Sequence, residues 1–340
     1  MSKNCDKKSG LVDSFSRTIS YLRLSLTDRC NLRCLYCMPE NREKGLQTLK
    51  HEDLLSYEEL QRIVEIVVSM GMNKLRLTGG EPLVRKGVMH FIRSLAAIDG
   101  LDEIRLTTNG VLLLEKAAGL YEAGIKKLNI SLDTLQPARF QEISGVDLFD
   151  QVWRGIEKAE EIGFDIKLNI VAMKGVNDDE FLDFARLAVE RSWQVRFIEF
   201  MPVGKNSTWG KDSYISSLEL QKMVAEMGTL EPLPGCRMDG PARVYSLTAS
   251  DGRQGRVGFI SPISHHFCET CNRLRLTSAG RLRACLLHDR EADLKSLLRS
   301  GGTDEEIRKL IRQTILDKPK GHTLAEDQAR CSGQMSRIGG

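Results

Sequence analysis

Residues 21–37 read YLRLSLTDRCNLRCLYC, and they join the two patterns that organise the chain. In the first half, Leu22, Leu24 and Leu26 alternate with Arg23, Ser25 and Thr27, the two-residue period of a strand with one apolar and one polar face. In the second half, Cys30, Cys34 and Cys37 stand in C-x3-C-x2-C spacing directly behind that strand. The alternation recurs downstream. Leu75 and Leu77 oppose Arg76 and Thr78, and Ile104 and Leu106 oppose Arg105 and Thr107. Leu128, Ile130 and Leu132 then oppose Asn129, Ser131 and Asp133, and Leu168 and Ile170 oppose Lys167 and Asn169.

Six candidate strands follow: Tyr21 to Leu26, Lys74 to Leu77, Glu103 to Thr107, Lys127 to Leu132, Ile166 to Val171 and Val195 to Glu199, with a helical stretch between each successive pair. In the helix from Tyr57, Leu60, Ile63, Val64, Val67 and Val68 share one face behind a Ser56–Glu59 capping box; Asn177 and Glu180 have the spacing of a second helix start. This repetition predicts an α/β fold with a parallel sheet and right-handed crossovers. Strands buried on both faces by helices read as continuous apolar runs, so the alternation means that one sheet face meets helices and the other something polar. A closed eight-stranded barrel fills its interior with branched apolar side chains. A polar interior therefore points to a wider, incomplete barrel holding a large polar ligand. The alternation puts Thr107 on that face and turns Thr108 toward the helices.

After about Val203 the character changes. A loop from Gly204 to Ser213, a helix near Ser217 to Met227 and strands near Arg243 to Leu247 and Arg256 to Ile260 lead to Cys268, Cys271 and Cys285, which flank a hairpin turning at Ser278 to Gly280. Two helices follow, and from Lys318 the chain is polar and aperiodic up to Gly339-Gly340. The expected division is a flexible extension over 1–15, a partial barrel over 16–202, a C-terminal segment with the second cysteine triplet over 203–317, and a polar tail over 318–340.

With 49 Lys plus Arg against 46 Asp plus Glu in 340 residues, the net charge of +3 excludes both an acidic solvating chain and a histone-like DNA binder. No apolar run reaches the ~18–20 residues that span a bilayer, and the opening MSKNCDKKSG lacks the apolar core of a signal peptide. A cytoplasmic location is expected, without membrane or nucleic-acid partners. In that reducing compartment clustered thiols read as metal ligands rather than disulfides, and nine cysteines cannot all pair. Cys5, Cys236 and Cys331 read as free thiols, and Lys7-Lys8 and Arg85-Lys86 as solvated surface.

Three thiolates on one short loop can hold three irons of a 4Fe-4S cube and leave the fourth open. Structural zinc wants four ligands, and His51 is too isolated to supply one. The second triplet, C-x2-C-x13-C, admits a zinc knuckle completed by Cys236, Cys331, His265 or His266, or a second cube with an open iron. Arg273 and Arg275 favour the cube, because paired guanidinium groups beside an open site suit an anionic ligand.

C-x3-C-x2-C after a first barrel strand, with Thr78-Gly79-Gly80-Glu81-Pro82 after the second, resembles the radical S-adenosylmethionine (SAM) enzymes. Both triplets, the Asn272-Arg273-Leu274-Arg275 segment and the terminal Gly-Gly resemble one branch of them, the GTP 3′,8-cyclases of molybdenum cofactor biosynthesis, from about Ser16 to Gly340. The resemblance implies an incomplete (β/α)6 TIM-type barrel whose open side is closed by the C-terminal segment. It implies two 4Fe-4S clusters, the first reducing SAM to methionine and a 5′-deoxyadenosyl radical that abstracts the 3′ hydrogen of GTP, the second holding the guanine. Arg23, Arg76, Thr107, Lys167, Arg273, Leu274 and Arg275 would contact GTP, and Tyr36, Gly80, Ser131 and Met201 would contact SAM. Gly339 and Gly340 would thread toward the site. An external electron donor, a downstream cyclic pyranopterin monophosphate synthase, and a monomer or homodimer complete the expectation. Arg23, Arg76, Thr107, Ser131 and Lys167 are also on the polar strand face deduced from alternation alone. Two other readings are a radical SAM peptide- or protein-modifying enzyme with an auxiliary cluster, and a zinc-dependent nucleic-acid-binding protein, the latter disfavoured by the lack of a basic stripe with interleaved aromatics.

Overall fold

The computed structural model describes residues 10–37, 48–204, 209–235, 240–322, 331 and 333–339. Six parallel strands stand side by side in chain order: β1 (Tyr21–Ser25), β2 (Lys74–Thr78), β3 (Glu103–Thr108), β4 (Lys127–Ser131), β5 (Asp165–Ala172) and β6 (Gln194–Glu199). Each boundary lies within one residue of the alternation-based expectation. The crossovers carry α1 (Tyr57–Ser69), α2 (Val88–Ala96), α3 (Leu113–Glu122), then both α4 (Pro137–Ser144) and α5 (Phe149–Ile162), and finally α6 (Phe181–Glu190).

Apolar strand positions such as Leu24, Leu77, Leu106, Ile130, Leu168 and Phe197 pack against the helices in one core. Each buried side chain of this size contributes about 1.5–3 kcal/mol against the entropy of ordering. In α1 the capping box forms as expected: Glu59 N donates to Ser56 Oγ at 3.2 Å and Ser56 N to Glu59 Oε2 at 2.7 Å. The Asn177–Glu180 pair does not cap. Asn177 Nδ2 donates instead to the carbonyls of Asp133 and Val171, and Glu180 accepts from Thr134 Oγ1 and Leu135 N. Both side chains tie the loop after β4 to the loop after β5, and α6 begins at Phe181 behind a short 3-10 turn.

The C-terminal segment adds strands to both edges of this sheet. After α7 (Ser217–Val224), a meander of β7 (Gly228–Pro232), β8 (Arg243–Ala249) and β9 (Gln254–Ile260) joins one edge, with β9 parallel to β6. On the other edge β10 (Arg273–Leu276) lies parallel to β1, and β11 (Arg281–Arg283) and β12 (Ala292–Asp293) follow antiparallel. Strand order is β12-β11-β10-β1-β2-β3-β4-β5-β6-β9-β8-β7. No pairing joins its ends among the described residues, so the barrel is incomplete. Strands β7 and β12 were not anticipated, since neither has a buried apolar face to mark it. Helices α8 (Leu294–Arg299) and α9 (Asp304–Leu316) and a terminal helical turn, Met335–Ile338, complete the described chain.

Three surface assignments change. Residues 10–15 are not a free extension: Leu11 is buried, its carbonyl accepts from Ile19 N, and Asp13 pairs with Arg17 at 2.5 Å. Arg85 is not solvated; it donates to the carbonyls of Leu26 and Leu55 and stacks on Tyr57. In the polar tail, Lys318 is buried and donates to the carbonyls of Arg273 and Ala284, and the unpaired thiol of Cys331 packs with Val203 and Ile338. Cys5, Lys7, Lys8, Cys236 and Gly340 lie outside the described residues. No helix of the described residues is long and apolar enough to cross a membrane.

Candidate active site

Register builds the site. Arg23 on β1 is the Cα partner of Arg275 on β10 and of Arg76 on β2, and Arg76 is in turn the partner of Arg105 on β3. Because strand side chains alternate, residues in register share a face. Four arginines thus form one rung across adjacent strands, and all four line the same cavity, which has about 320 Å³ of space for the centres of water-sized molecules.

The rung is crowded with positive charge. Burial, then the neighbouring Arg275, hold the Arg23 guanidinium well below its usual range, and burial with Arg273 brings Arg275 to about 10. Burial pushes the Tyr21 hydroxyl up, but Arg76 and Arg23 outweigh it and bring the group down to about 7. Arg76 Nε donates to that hydroxyl, and its Nη1 to Thr107 Oγ1 at 3.1 Å. Such a surface is complementary to a polyanion. Hydrogen-bonding capacity also remains around it. The Nε atoms of Arg105 and Arg196 and the Oδ1 atoms of Asn129 and Asn169 are buried without a partner, on residues that line the cavity.

At the carboxyl ends of the strands, the loop after β1 brings Cys30, Cys34 and Cys37 to the cavity wall. Leu32 N donates to Cys30 Sγ at 3.4 Å and Asn109 Nδ2 reaches it at 3.6 Å, the N–H to sulfur contacts that thiolate ligands accept. Burial pushes Cys30 up to about 11 and Cys37 up to about 12. Desolvation opposes ionisation of these three adjacent half-buried thiols and a cationic centre offsets that cost, so this loop fits a cluster. The glycine turn backs it: Gly80 N donates to Thr27 O at 2.7 Å, and a Cβ on Gly80 would lie 2.3 Å from Arg29 O.

Cys268, Cys271 and Cys285 line the same cavity from the C-terminal side. Arg17 fixes the Cys268 carbonyl at 2.8 Å. Burial raises the Cys271 thiol, but Arg273 and Lys318 bring it down to about 7, so this triplet also fits a metal cluster. Among the described residues, no group of three or more His, Cys, Asp and Glu converges on a single ion. A cube, unlike tetrahedral zinc, carries each thiolate on a separate iron and needs no such convergence.

Of the residues expected at SAM, Tyr36, Gly80, Ser131 and Met201 line the cavity, and Tyr36 Oη donates to Asp133 at 2.7 Å. Of those expected at GTP, Arg23, Arg76, Thr107, Arg273 and Arg275 line it. Leu274 does not. It is the register partner of Leu22 and is buried in the apolar core on the opposite face. Lys167 is also absent from the wall; its ammonium lies 3.6 Å from Asp165, and burial together with Arg196 lowers it to about 7. Thr108 is the register partner of Ile130, on the helix-packed side where the alternation puts it, and its hydroxyl donates to Glu81 at 2.9 Å. Gly339 reaches the site, where its carbonyl accepts from Arg275 Nη1 at 2.9 Å and a Cβ would lie 2.7 Å from Thr78 Cγ2. Arg105, Asn129, Asn169 and Arg196 were missed as site residues, although the first three stand on the polar face that the alternation revealed.

The Radical SAM superfamily model matches residues 24–188, and the Molybdenum Cofactor Synthesis C model matches residues 193–324. A GTP 3′,8-cyclase of Thermodesulfovibrio yellowstonii is 48% identical over 332 residues, covering 97% of this chain and all of the relative. One from Heliobacterium modesticaldum is 46% identical over 333 residues, with 97% of this chain and all of the relative covered. Among solved structures, Streptococcus suis SuiB bound to S-adenosylmethionine aligns with a TM-score of 0.61 at 16% identity, covering 92% of this chain and 75% of SuiB. That likeness is one of fold alone.

Proposed function

The chain belongs to the GTP 3′,8-cyclase family of the radical SAM superfamily, and from that membership we propose how its cavity serves the conversion of GTP to (8S)-3′,8-cyclo-7,8-dihydroguanosine 5′-triphosphate in molybdenum cofactor biosynthesis. The observation that carries the reading is that both cysteine triplets and the arginine rung, drawn from opposite ends of the sequence, line one cavity.

Cys30, Cys34 and Cys37 would hold one 4Fe-4S cluster and Cys268, Cys271 and Cys285 another, each leaving one iron for a small molecule. When bound, the first cluster supplies the electron that cleaves SAM. Tyr36, Gly80, Ser131 and Met201 surround SAM, the glycine allowing backbone approach. Arg23, Arg76, Arg273 and Arg275, with Thr107, bind and orient GTP, and Arg105 and Arg196 extend the same cationic wall. Lys167 joins them by leaving Asp165. Burial within the barrel excludes water from the reacting sugar. Gly339 closes the cavity beside Arg275, an external donor supplies electrons, and a cyclic pyranopterin monophosphate synthase takes the product.

Anaerobic reconstitution tests this reading. The parent should carry about eight irons per chain and the triple variant Cys268→Ala, Cys271→Ala, Cys285→Ala about four. The parent should form 5′-deoxyadenosine from SAM and reductant only when GTP is present. Formation indifferent to GTP would sink the reading.

A further inference from the structure

Asn109 opens the turn behind β3 and is nearly fully enclosed. Its backbone N–H donates to Glu81 Oε2 at 2.7 Å, so the Gly79-Gly80-Glu81 turn fixes the position of its Cα. The side-chain Oδ1 accepts from Val111 N at 3.1 Å. Nδ2 donates to Asn31 Oδ1 at 2.8 Å and directs its other hydrogen to Cys30 Sγ at 3.6 Å, within reach of the larger sulfur atom. These partners leave one orientation for the amide. Flipped, its oxygen would face the oxygen of Asn31 and the sulfur, and its N–H groups would face the N–H of Val111.

A donor held in this way has an electronic consequence. An N–H aimed at a cluster thiolate stabilises the more negative, reduced state more than the oxidised one, which raises the reduction potential. We propose that Asn109 is a positioning residue that sets the reduction potential of the cluster held at Cys30 through this N–H to sulfur bond. The inference rests on reading the first triplet as a cluster site. Leu32 N makes a second such contact from within the cysteine loop, as a backbone group that any residue supplies. Asn109 makes its contact from a different strand end, so the bond also registers the loop after β1 against the loop after β3.

The test uses the full chain with Cys268, Cys271 and Cys285 changed to alanine, so that one cluster signal remains, and follows its midpoint potential by electron paramagnetic resonance. With iron content retained, Asn109→Leu should shift the potential to more negative values, and Asn109→Asp further, because a charged acceptor replaces the donor. Asn31→Ala, which releases the partner that aims the amide, should shift it in the same direction by less. Retained iron with an unchanged potential in Asn109→Leu overturns the proposal. If that variant loses its iron, Asn31→Ala decides: a negative shift supports the proposal, and an unchanged potential or loss of iron there too overturns it in favour of a merely structural clamp. A parent that never binds iron would instead overturn the cluster reading itself.

Discussion

Arg23 and Arg275 are Cα partners on adjacent parallel strands, although one lies near the start of the chain and the other in its C-terminal segment. Like charges placed side by side in a sheet repel, and here Arg275 is buried and Arg23 half-buried, so the pairing opposes folding and favours an anion between them. Arg23→Met keeps the packing volume and removes one charge. The thermal midpoint of the ligand-free protein should hold or rise. Calorimetry should show GTP affinity falling roughly tenfold to a hundredfold, the loss of about 1.5–3 kcal/mol expected for a charged hydrogen bond. A stability loss with unchanged affinity would contradict this.

Tyr21 gives the site a pH dependence. Its hydroxyl ordinarily titrates near 10.0; burial pushes it up, but Arg76 and Arg23 prevail and hold it at about 7 in the fold. Between those values the unfolded chain keeps a proton that the folded chain has lost, so the stability of the ligand-free protein should rise from about pH 7 toward 10 and be lost as pH falls through 7. A bound triphosphate neutralises the arginines and returns the proton. At pH 8, inorganic tripolyphosphate should therefore bind with proton uptake and a loss of tyrosinate absorbance. Tyr21→Phe should abolish both; uptake unaffected by that change would count against this assignment.

Leu274 and Arg275 are neighbours with opposite surroundings. Leu274→Ala should cost about 2–5 kcal/mol in denaturant unfolding, the penalty for emptying a core position, while the folded fraction binds GTP with unchanged affinity. Weakened GTP binding by a stably folded Leu274→Ala would restore it to the site.

This pair also shows what the sequence makes legible. Alternation on each strand marks the lumen, and it correctly puts Arg23, Arg76, Arg105 and Thr107 on one side, because a polar side chain at every second position has no other explanation in a buried sheet. The same rule applied to β10 would have sent Leu274 to the core; the family pattern, read as a continuous segment, overrode it. What stays illegible is non-local. Nothing in the residues of β9 and β10 announces that they join opposite edges of one sheet, since partner choice depends on register across the chain rather than local propensity. Asn177 fails as a cap for a related reason, as Asp133 and Val171 offer buried carbonyls that only the folded loops bring near.

Gly80 is held to glycine by its neighbour rather than by its own backbone angles. A Cβ there would lie 2.3 Å from Arg29 O and 2.7 Å from Arg29 C, both backbone atoms of the cysteine loop. Gly80→Ala should displace that loop at a cost of about 1–3 kcal/mol, lowering iron content and weakening SAM binding at least tenfold. Gly210→Ala, whose new methyl group would meet nothing within 4 Å, should leave both unchanged and serves as the control.

The central claim is that the cavity holds SAM and GTP together so that a hydrogen leaves the sugar of one for the adenosyl group of the other. The direct measurement is a single turnover of the reconstituted protein with reductant, SAM and GTP deuterated at C3′, followed by mass analysis of the 5′-deoxyadenosine. The account predicts one deuterium in that product and formation of the 3′,8-cyclised nucleotide. Deuterium-free 5′-deoxyadenosine, formed equally well without GTP, would contradict it.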